Sequence, residues 1–219
     1  MAGADVTHTG RNWDWNVVSA EEHDRLEQLY APLAQAVRNL IEASARTGVD
    51  EATMREAQSA IEAVTETLEG RRHDGPHALL HETTGRPVLL TNPAVGWRNP
   101  VAPPMLVHHD GDDRCWSDFT LGMIYEGPPG LVHGGICALV LDHILGEVAS
   151  GGMVQPKFTG TITLKYLRGT PLGPVRAEAF VERTEGYKTY ARGFLKDAEG
   201  TTVEADGVFI MPSWARDAG

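Results

Sequence analysis

The residues best suited to chemistry lie in one short stretch, where His133, Gly134 and Gly135 are followed by Asp142. A turn-forming run, residues 126–130, precedes them, and the residues after Gly135 are apolar on every face of a helical projection. A helix of that kind is buried on all sides, and a carboxylate inside it is costly unless it is paired, hydrogen-bonded or used in a reaction. The glycines at the positive end of this helix would let a ligand approach unpaired backbone N–H groups. The pattern predicts an oxyanion or carbonyl site, with a carboxylate on the same helix.

The spacing of these groups predicts that a catalytic site needs two copies of the chain. His133 and Asp142 are nine residues apart. That separation corresponds to roughly 13.5 Å along a helix axis and to nearly opposite helix faces. The N-terminal donors and the carboxylate of one chain therefore cannot hold the same small group. The alternative is a structural Asp142 that is satisfied by a neighbouring hydroxyl or amide.

This stretch, with the turn before it and the strands predicted after it, resembles the hotdog-fold acyl-CoA thioesterases of the phenylacetate-degradation (PaaI-like) type. The resemblance covers about residues 95–212. It implies an α+β fold in which a long antiparallel sheet wraps one central helix, and in which two subunits pair to form the active sites. The consecutive strands predicted after residue 157 agree independently with such an antiparallel α+β layer.

The resemblance also implies roles for individual residues. A backbone N–H near Gly134, beside Gly135, would stabilise the oxyanion of a thioester, and Asp142 of the partner subunit would act as general base or nucleophile. His133 would shape the turn or contact the thioester, and Thr159 would supply a hydroxyl at the site. The remaining substrate contacts implied by the resemblance are Glu126, Gly127, where some relatives carry a polar residue, and Arg168, which would meet a phosphate of coenzyme A or end a solvated strand.

The predicted function is hydrolysis of an acyl-CoA thioester, without a cofactor or a metal, by a homodimer or a dimer of dimers. Two other functions stay open. A non-catalytic acyl-CoA-binding or regulatory protein would keep the fold, with Gly127 marking the loss of water activation. A hydratase acting on enoyl or hydroxyacyl thioesters would need a histidine base, for which His143 is the neighbouring candidate. A nucleophilic pair of Cys137 and His133 is disfavoured, because a cysteine on an apolar helix is usually a small core residue.

Composition limits the class of protein and its partners. The chain has 219 residues, of which 42% are hydrophobic and 22% charged, as in an ordinary globular protein. Its net charge of −11 argues against nucleic-acid binding. The longest apolar run, residues 136–141, is too short to cross a membrane. With two cysteines and no visible signal peptide, a reduced cytoplasmic setting is expected.

The rest of the chain predicts an extension before the hotdog domain. Apolar residues repeat at helical spacing from Leu26 to Ile41 and from Met54 to Leu68, after capping residues Ser19 and Asp50. We therefore expect residues 1–70 to form an N-terminal extension built on a helical hairpin, with a kink or break at Pro32. Residues 71–94 are expected to be a linker, 95–212 the hotdog domain and 213–219 a tail.

Two histidine-rich segments have the composition of metal sites but not their pattern. His73, His77 and His81 are four residues apart, but a glycine and a proline interrupt any helix that would align them. The segment from His108 to Asp113 is expected to be a solvated hairpin turn.

Overall fold

The computed structural model describes residues 15–73 and 78–216. Its elements in chain order are strand β1 (Asn16–Val18), helices α1 (Ala20–Arg46) and α2 (Glu51–Glu69), strands β2 (Leu79–His81), β3 (His108–Asp110) and β4 (Arg114–Leu121), a 3₁₀ turn (Met123–Tyr125), helix α3 (Gly134–Ala149), strands β5 (Phe158–Tyr166), β6 (Gly173–Glu185), β7 (Lys188–Asp197) and β8 (Gly200–Ile210), and the short helix α4 (Ser213–Arg216).

Six of the strands form one antiparallel sheet in the order β3-β4-β6-β7-β8-β5. Helix α3 packs against five of them, and its buried residues form the centre of the core. The predicted α+β arrangement, with one apolar helix wrapped by hairpin-linked strands, is confirmed. Strands β1 and β2 pair with each other in a separate, parallel two-stranded sheet.

Small residues on the sheet let α3 come close to it. Leu145 is fully buried, and a Cβ atom on Gly193 or Gly207 would lie 3.2 Å or 3.4 Å from its methyl groups. The sheet residues around it are mostly alanine and valine rather than larger side chains. The central helix is therefore held by shape as well as by apolar burial.

Both N-terminal helices begin where the sequence predicts. The Ser19 hydroxyl accepts a hydrogen bond from the Glu22 N–H at 3.1 Å, and the Asp50 carboxylate accepts one from Thr53 at 2.9 Å. Pro32 does not break α1, contrary to one of the two outcomes expected for it. Because Pro32 and Gln28, the residue one turn earlier, are exposed, water can take the place of the hydrogen bond that proline does not donate.

The predicted helical hairpin is present as two successive helices but not as a packed pair. Helix α1 lies on the domain, with Ala34 buried and the Arg38 guanidinium 3.4 Å from the carbonyls of Asn99 and Ala102. Every residue of α2 is exposed, so its apolar stripe is not covered by the described part of this chain.

Segment 78–107 is folded onto the domain, since Leu80, Leu90 and Ala94 are buried there although they lie in the expected linker. His81 lies in β2 and α2 ends at Glu69, so no helix aligns the spaced histidines, and His77 lies outside the described residues. The predicted turn at Gly111 is confirmed between β3 and β4. Across residues 15–73 and 78–216, no helix combines the length and hydropathy needed to span a bilayer.

Candidate active site

The N-terminus of α3 presents one backbone donor that is free. His133 is the N-cap residue, with φ −60° and ψ 132°, and its Nδ1 accepts a hydrogen bond from the Gly135 N–H at 3.0 Å. The His133 carbonyl accepts the N–H of Ile136 at 2.9 Å. Within the described residues, the N–H of Gly134 has no hydrogen-bond partner. An anion or carbonyl oxygen placed at this helix end would therefore meet the Gly134 N–H first.

The turn before the helix packs closely against His133. The Glu126 carboxylate accepts a hydrogen bond from the Gly130 N–H at 2.7 Å, and Gly127 donates its N–H to Leu131 at 2.9 Å. A Cβ atom on Gly127 would lie only 2.8 Å from the Cα of His133. The glycine is therefore needed for close packing of the turn. The polar side chain that some relatives carry here would not fit this backbone.

Tyr166 covers the other side of the helix N-terminus. Its hydroxyl donates to the Gly134 carbonyl at 2.8 Å, and its ring lies 3.4 Å from the position of a Cβ atom on Gly134. Burial raises the pKa of this tyrosine, which keeps the hydroxyl a donor at neutral pH. The sequence places Tyr166 at the end of a strand but gives no signal for this contact, because the two residues are 32 positions apart.

Asp142 and Thr159 meet at the edge of the sheet. The Thr159 hydroxyl donates to Asp142 Oδ1 at 2.9 Å, and both side chains are at least partly accessible. A bulge in β5 positions the threonine, because Thr159 and Thr161 pair with consecutive residues of β8 and Gly160 is skipped. A Cβ atom on Gly160 would lie 2.6 Å from an Ile210 methyl group, so a larger residue in the bulge would require the Ile210 side chain to move.

The predicted site residues thus form two groups in one chain. His133, Gly134 and Gly135 lie together at the start of α3, and Asp142 lies with Thr159 further along the helix. The eight residues from Gly134 to Asp142 correspond to about 12 Å along the axis. One chain therefore does not bring the free N–H and the carboxylate to the same reacting atom.

Comparisons with known proteins agree with this architecture. The family model of the thioesterase superfamily matches residues 129–204, which include the start of α3 and the strands after it. A crystal structure of a thioesterase superfamily protein superposes with a TM-score of 0.73 and 28% identity, covering 83% of this chain and 94% of that one. The chain therefore has the hotdog fold, and its residues 129–204 match the thioesterase superfamily.

Two relatives carry the name acyl-coenzyme A thioesterase THEM4. The protein from Xenopus laevis is 33% identical over 111 residues, which are 48% of this chain and 48% of the relative. The protein from Bos taurus is 27% identical over 109 residues, 48% of this chain and 44% of the relative. The chain spans about half the length of these two relatives.

Arg168, predicted to meet a phosphate, is held by an acidic partner within the hotdog domain. Its guanidinium forms two hydrogen bonds with the Asp197 carboxylate, one of them at 2.7 Å, and a third with the Gly200 carbonyl at 3.0 Å. This ion pair lowers the pKa of Asp197. A phosphate would have to compete with that carboxylate for the guanidinium.

The sequence prediction missed a cluster of charged side chains around a buried carboxylate of α3. The Glu147 carboxylate is buried, pairs with Arg86, and lies 2.9 Å from His109 Nε2. His143, one turn earlier, is only 8% exposed, and its Nε2 has no partner among the described residues. Both side chains line a cavity of about 320 Å³ beneath segment 81–107. A second carboxylate in so apolar a helix was a usable signal, but its partners come from distant segments.

Cys137 and His133 do not form a nucleophilic pair. The Cys137 thiol is buried beside the Thr170 hydroxyl, at 3.7 Å, and burial raises its pKa. His133 Nδ1 already accepts a hydrogen bond from the Gly135 N–H.

A candidate metal-ligand group within the described ranges is His23, Asp24 and Glu27, whose ligand atoms lie within 4.8 Å of one another on the surface of α1. Such exposed groups are common without an ion, and His23 already pairs with Asp24.

Proposed function

We propose that this protein is an acyl-CoA thioesterase that hydrolyses its substrate to a free acid and coenzyme A at sites shared between two copies of the chain. The observation that carries the proposal is the combination of a free Gly134 N–H at the α3 N-terminus with an Asp142 carboxylate oriented by Thr159. The substrate class is supported by the match of residues 129–204 to the thioesterase superfamily and by relatives that are named acyl-CoA thioesterases.

In the proposed reaction, the thioester carbonyl oxygen accepts a hydrogen bond from the Gly134 N–H, and this hydrogen bond strengthens as the oxygen becomes negative. Asp142 of the partner subunit either takes a proton from the attacking water or attacks the carbonyl carbon itself. The carbon–sulfur bond then breaks, and coenzyme A leaves as the thiol after taking up a proton. If Asp142 is the nucleophile, water then hydrolyses the mixed anhydride that it forms with the acyl group, which releases the free acid and restores the carboxylate. Thr159 holds one carboxylate oxygen, so the other can face the water or the substrate.

The edge strand β5 supports the two-copy arrangement. It pairs with β8 on one side only, and the described residues provide no partner strand on the other. Phe158 and Tyr166 at its two ends are about half exposed. An open, partly apolar strand edge favours pairing with another strand. Because Asp142 is bonded to this strand through Thr159, a second copy paired here would place Asp142 at the interface. We propose a homodimer, alone or within a dimer of dimers.

A non-catalytic acyl-CoA-binding role is the second candidate. It is favoured by Gly127, which has no side chain to hold an attacking water, and by Glu126, whose carboxylate is used within its own turn. The hydratase alternative receives less support, since the His143 side chain lines the cavity shared with Glu147, and the lining of that cavity does not include the α3 N-terminus. Both cysteines are free, as expected for the reducing cytoplasm that we propose as its location.

The test is thiol release from a panel of short, long and aromatic acyl-CoAs by the wild type and by the Asp142→Asn variant. We expect at least about a hundredfold loss of kcat in the variant, the usual range for loss of an acid–base group. Asp112→Asn, an exposed turn residue, is the matched control and should keep full activity. Activity that survives Asp142→Asn would refute the mechanism. Tight binding without thiol release from any substrate would support the binding protein instead.

A further inference from the structure

Helix α2 carries an apolar stripe that nothing in the described chain covers. Its members repeat at alternating steps of three and four residues, which keeps them on one helix face. They are Met54, Ala57, Ile61, Val64 and Leu68. The four large side chains are 39% to 55% exposed. A contiguous stripe of this kind marks an interaction surface, whereas single exposed apolar residues do not.

The stripe matters because α2 makes no buried contact with the described part of the chain. None of its 19 residues is buried, and its hydrogen bonds from side chains are local ones within the helix. Most helix stability in proteins comes from packing an apolar face rather than from intrinsic helix propensity. The helix therefore needs a partner surface.

The charges on α2 indicate what kind of partner fits. The positions nearest the stripe are uncharged, namely Thr53, Gln58, Ala60 and Thr65. Glu51 and Glu69, at the two ends of the helix, lie about 100° from the stripe centre and are paired with Arg55 and Arg72. The charged residues of the helix interior, Arg55, Glu56, Glu62 and Glu66, project about 120° or more from the stripe at about 100° per residue. A second copy of this acidic helix can therefore pack against the stripe without bringing like charges together. A partner with charged residues beside its own apolar face would find no opposite charges next to this stripe.

Helix α1 supplies a second uncovered stripe in the same chain. Leu29, Leu33 and Leu40 are 57%, 40% and 40% exposed, and they lie on a face different from the one with Ala34 that contacts the domain. Each chain therefore presents two apolar helical stripes, and two chains present four. Four amphipathic helices are enough to enclose a shared apolar core.

We propose that the α1–α2 extension is a self-association surface, in which the exposed stripes of one chain pack with those of a second copy to form a helical bundle. This surface is separate from the β5 edge and does not depend on the proposed activity. If both surfaces are used by different neighbours, the chain forms a dimer of dimers.

The test compares the mass of the full chain in solution, over a range of concentrations, with that of the double variant Ile61→Glu, Val64→Glu. Ser59→Glu, Ala63→Glu places two glutamates on the outer face of the same helix and is the matched control. We expect the stripe variant to have half the mass of the wild type, or to dissociate at a concentration at least tenfold higher. The control should behave as the wild type does.

Because no residue of α2 is part of the hotdog core, the stripe variant is expected to keep the thermal unfolding transition of the domain. Amide hydrogen exchange provides a second readout, since the α2 amides should exchange faster in the stripe variant than in the wild type. Equal masses at every concentration would overturn the proposal. That outcome would mean that the stripe is covered by its own chain or by a different protein.

Discussion

Replacing Gly134 with proline would remove one functional group from the candidate site. That group is the backbone N–H at the start of α3, which has no hydrogen-bond partner among the described residues. The next N–H is bonded to His133 Nδ1 at 3.0 Å, and that of Ile136 is bonded to the His133 carbonyl at 2.9 Å. Gly134 therefore supplies the donor that is free for a substrate oxygen. If that oxygen becomes an oxyanion in the transition state, its loss should appear in kcat rather than in the fold.

The structure indicates that proline is well tolerated at this position. Gly134 is the first residue of the helix, where proline is favoured because its missing N–H would have no helical partner. His133 has ψ 132°, which suits a residue before proline. The added Cβ would lie 3.4 Å from the Tyr166 ring, an ordinary contact. Gly134→Ala adds the same Cβ but keeps the N–H, so it is the matched control.

We expect Gly134→Pro to lower kcat by about 10²–10³-fold relative to Gly134→Ala, the range for removal of one oxyanion-hole donor, or roughly 3–4 kcal/mol of transition-state stabilisation. The assay is thiol release from the best substrate of the wild type, with thermal unfolding measured for both variants. If the proline variant is folded and its kcat is within about tenfold of the alanine variant, the Gly134 N–H is not the oxyanion donor.

Two further predictions concern α3. Thr159→Val should lower kcat by roughly tenfold, because one oxygen of Asp142 loses its hydrogen bond and such a bond to a charged group is worth about 1.5–3 kcal/mol. Thr159→Ser keeps the hydroxyl and should retain activity. Equal rates for the two variants would show that the hydroxyl does not position Asp142. Burial lowers the pKa of His143 from 6.5, so the unfolded chain binds this proton more readily, and the free energy of unfolding should fall as pH drops below about 6.5. In urea unfolding, His143→Gln should flatten that slope between about pH 7 and 5. An unchanged slope would show that His143 does not cause it.

The sequence alone was sufficient to predict the two N-terminal helices, the central helix and the strands that follow it. Alternation of apolar and polar residues predicted the strands from residue 158 onward, and side-chain caps at Ser19 and Asp50 predicted the helix starts. These signals are local, so they can be read without knowing what packs against them. The prediction that His133 and Asp142 of one chain do not meet also rested only on helix geometry.

Only the tertiary structure decided which groups are free and which are occupied. It assigned the Gly135 N–H to His133 and left that of Gly134 open, and it joined Asp142 to Thr159 through a bulge at Gly160. It also showed that α1 packs one face on the domain, whereas no described residue covers α2, although both helices have apolar residues at helical spacing. The physical reason is the same in each case. Hydrogen-bond partners and covered faces depend on contacts between distant segments, and periodicity records only that a face is apolar, not what packs against it.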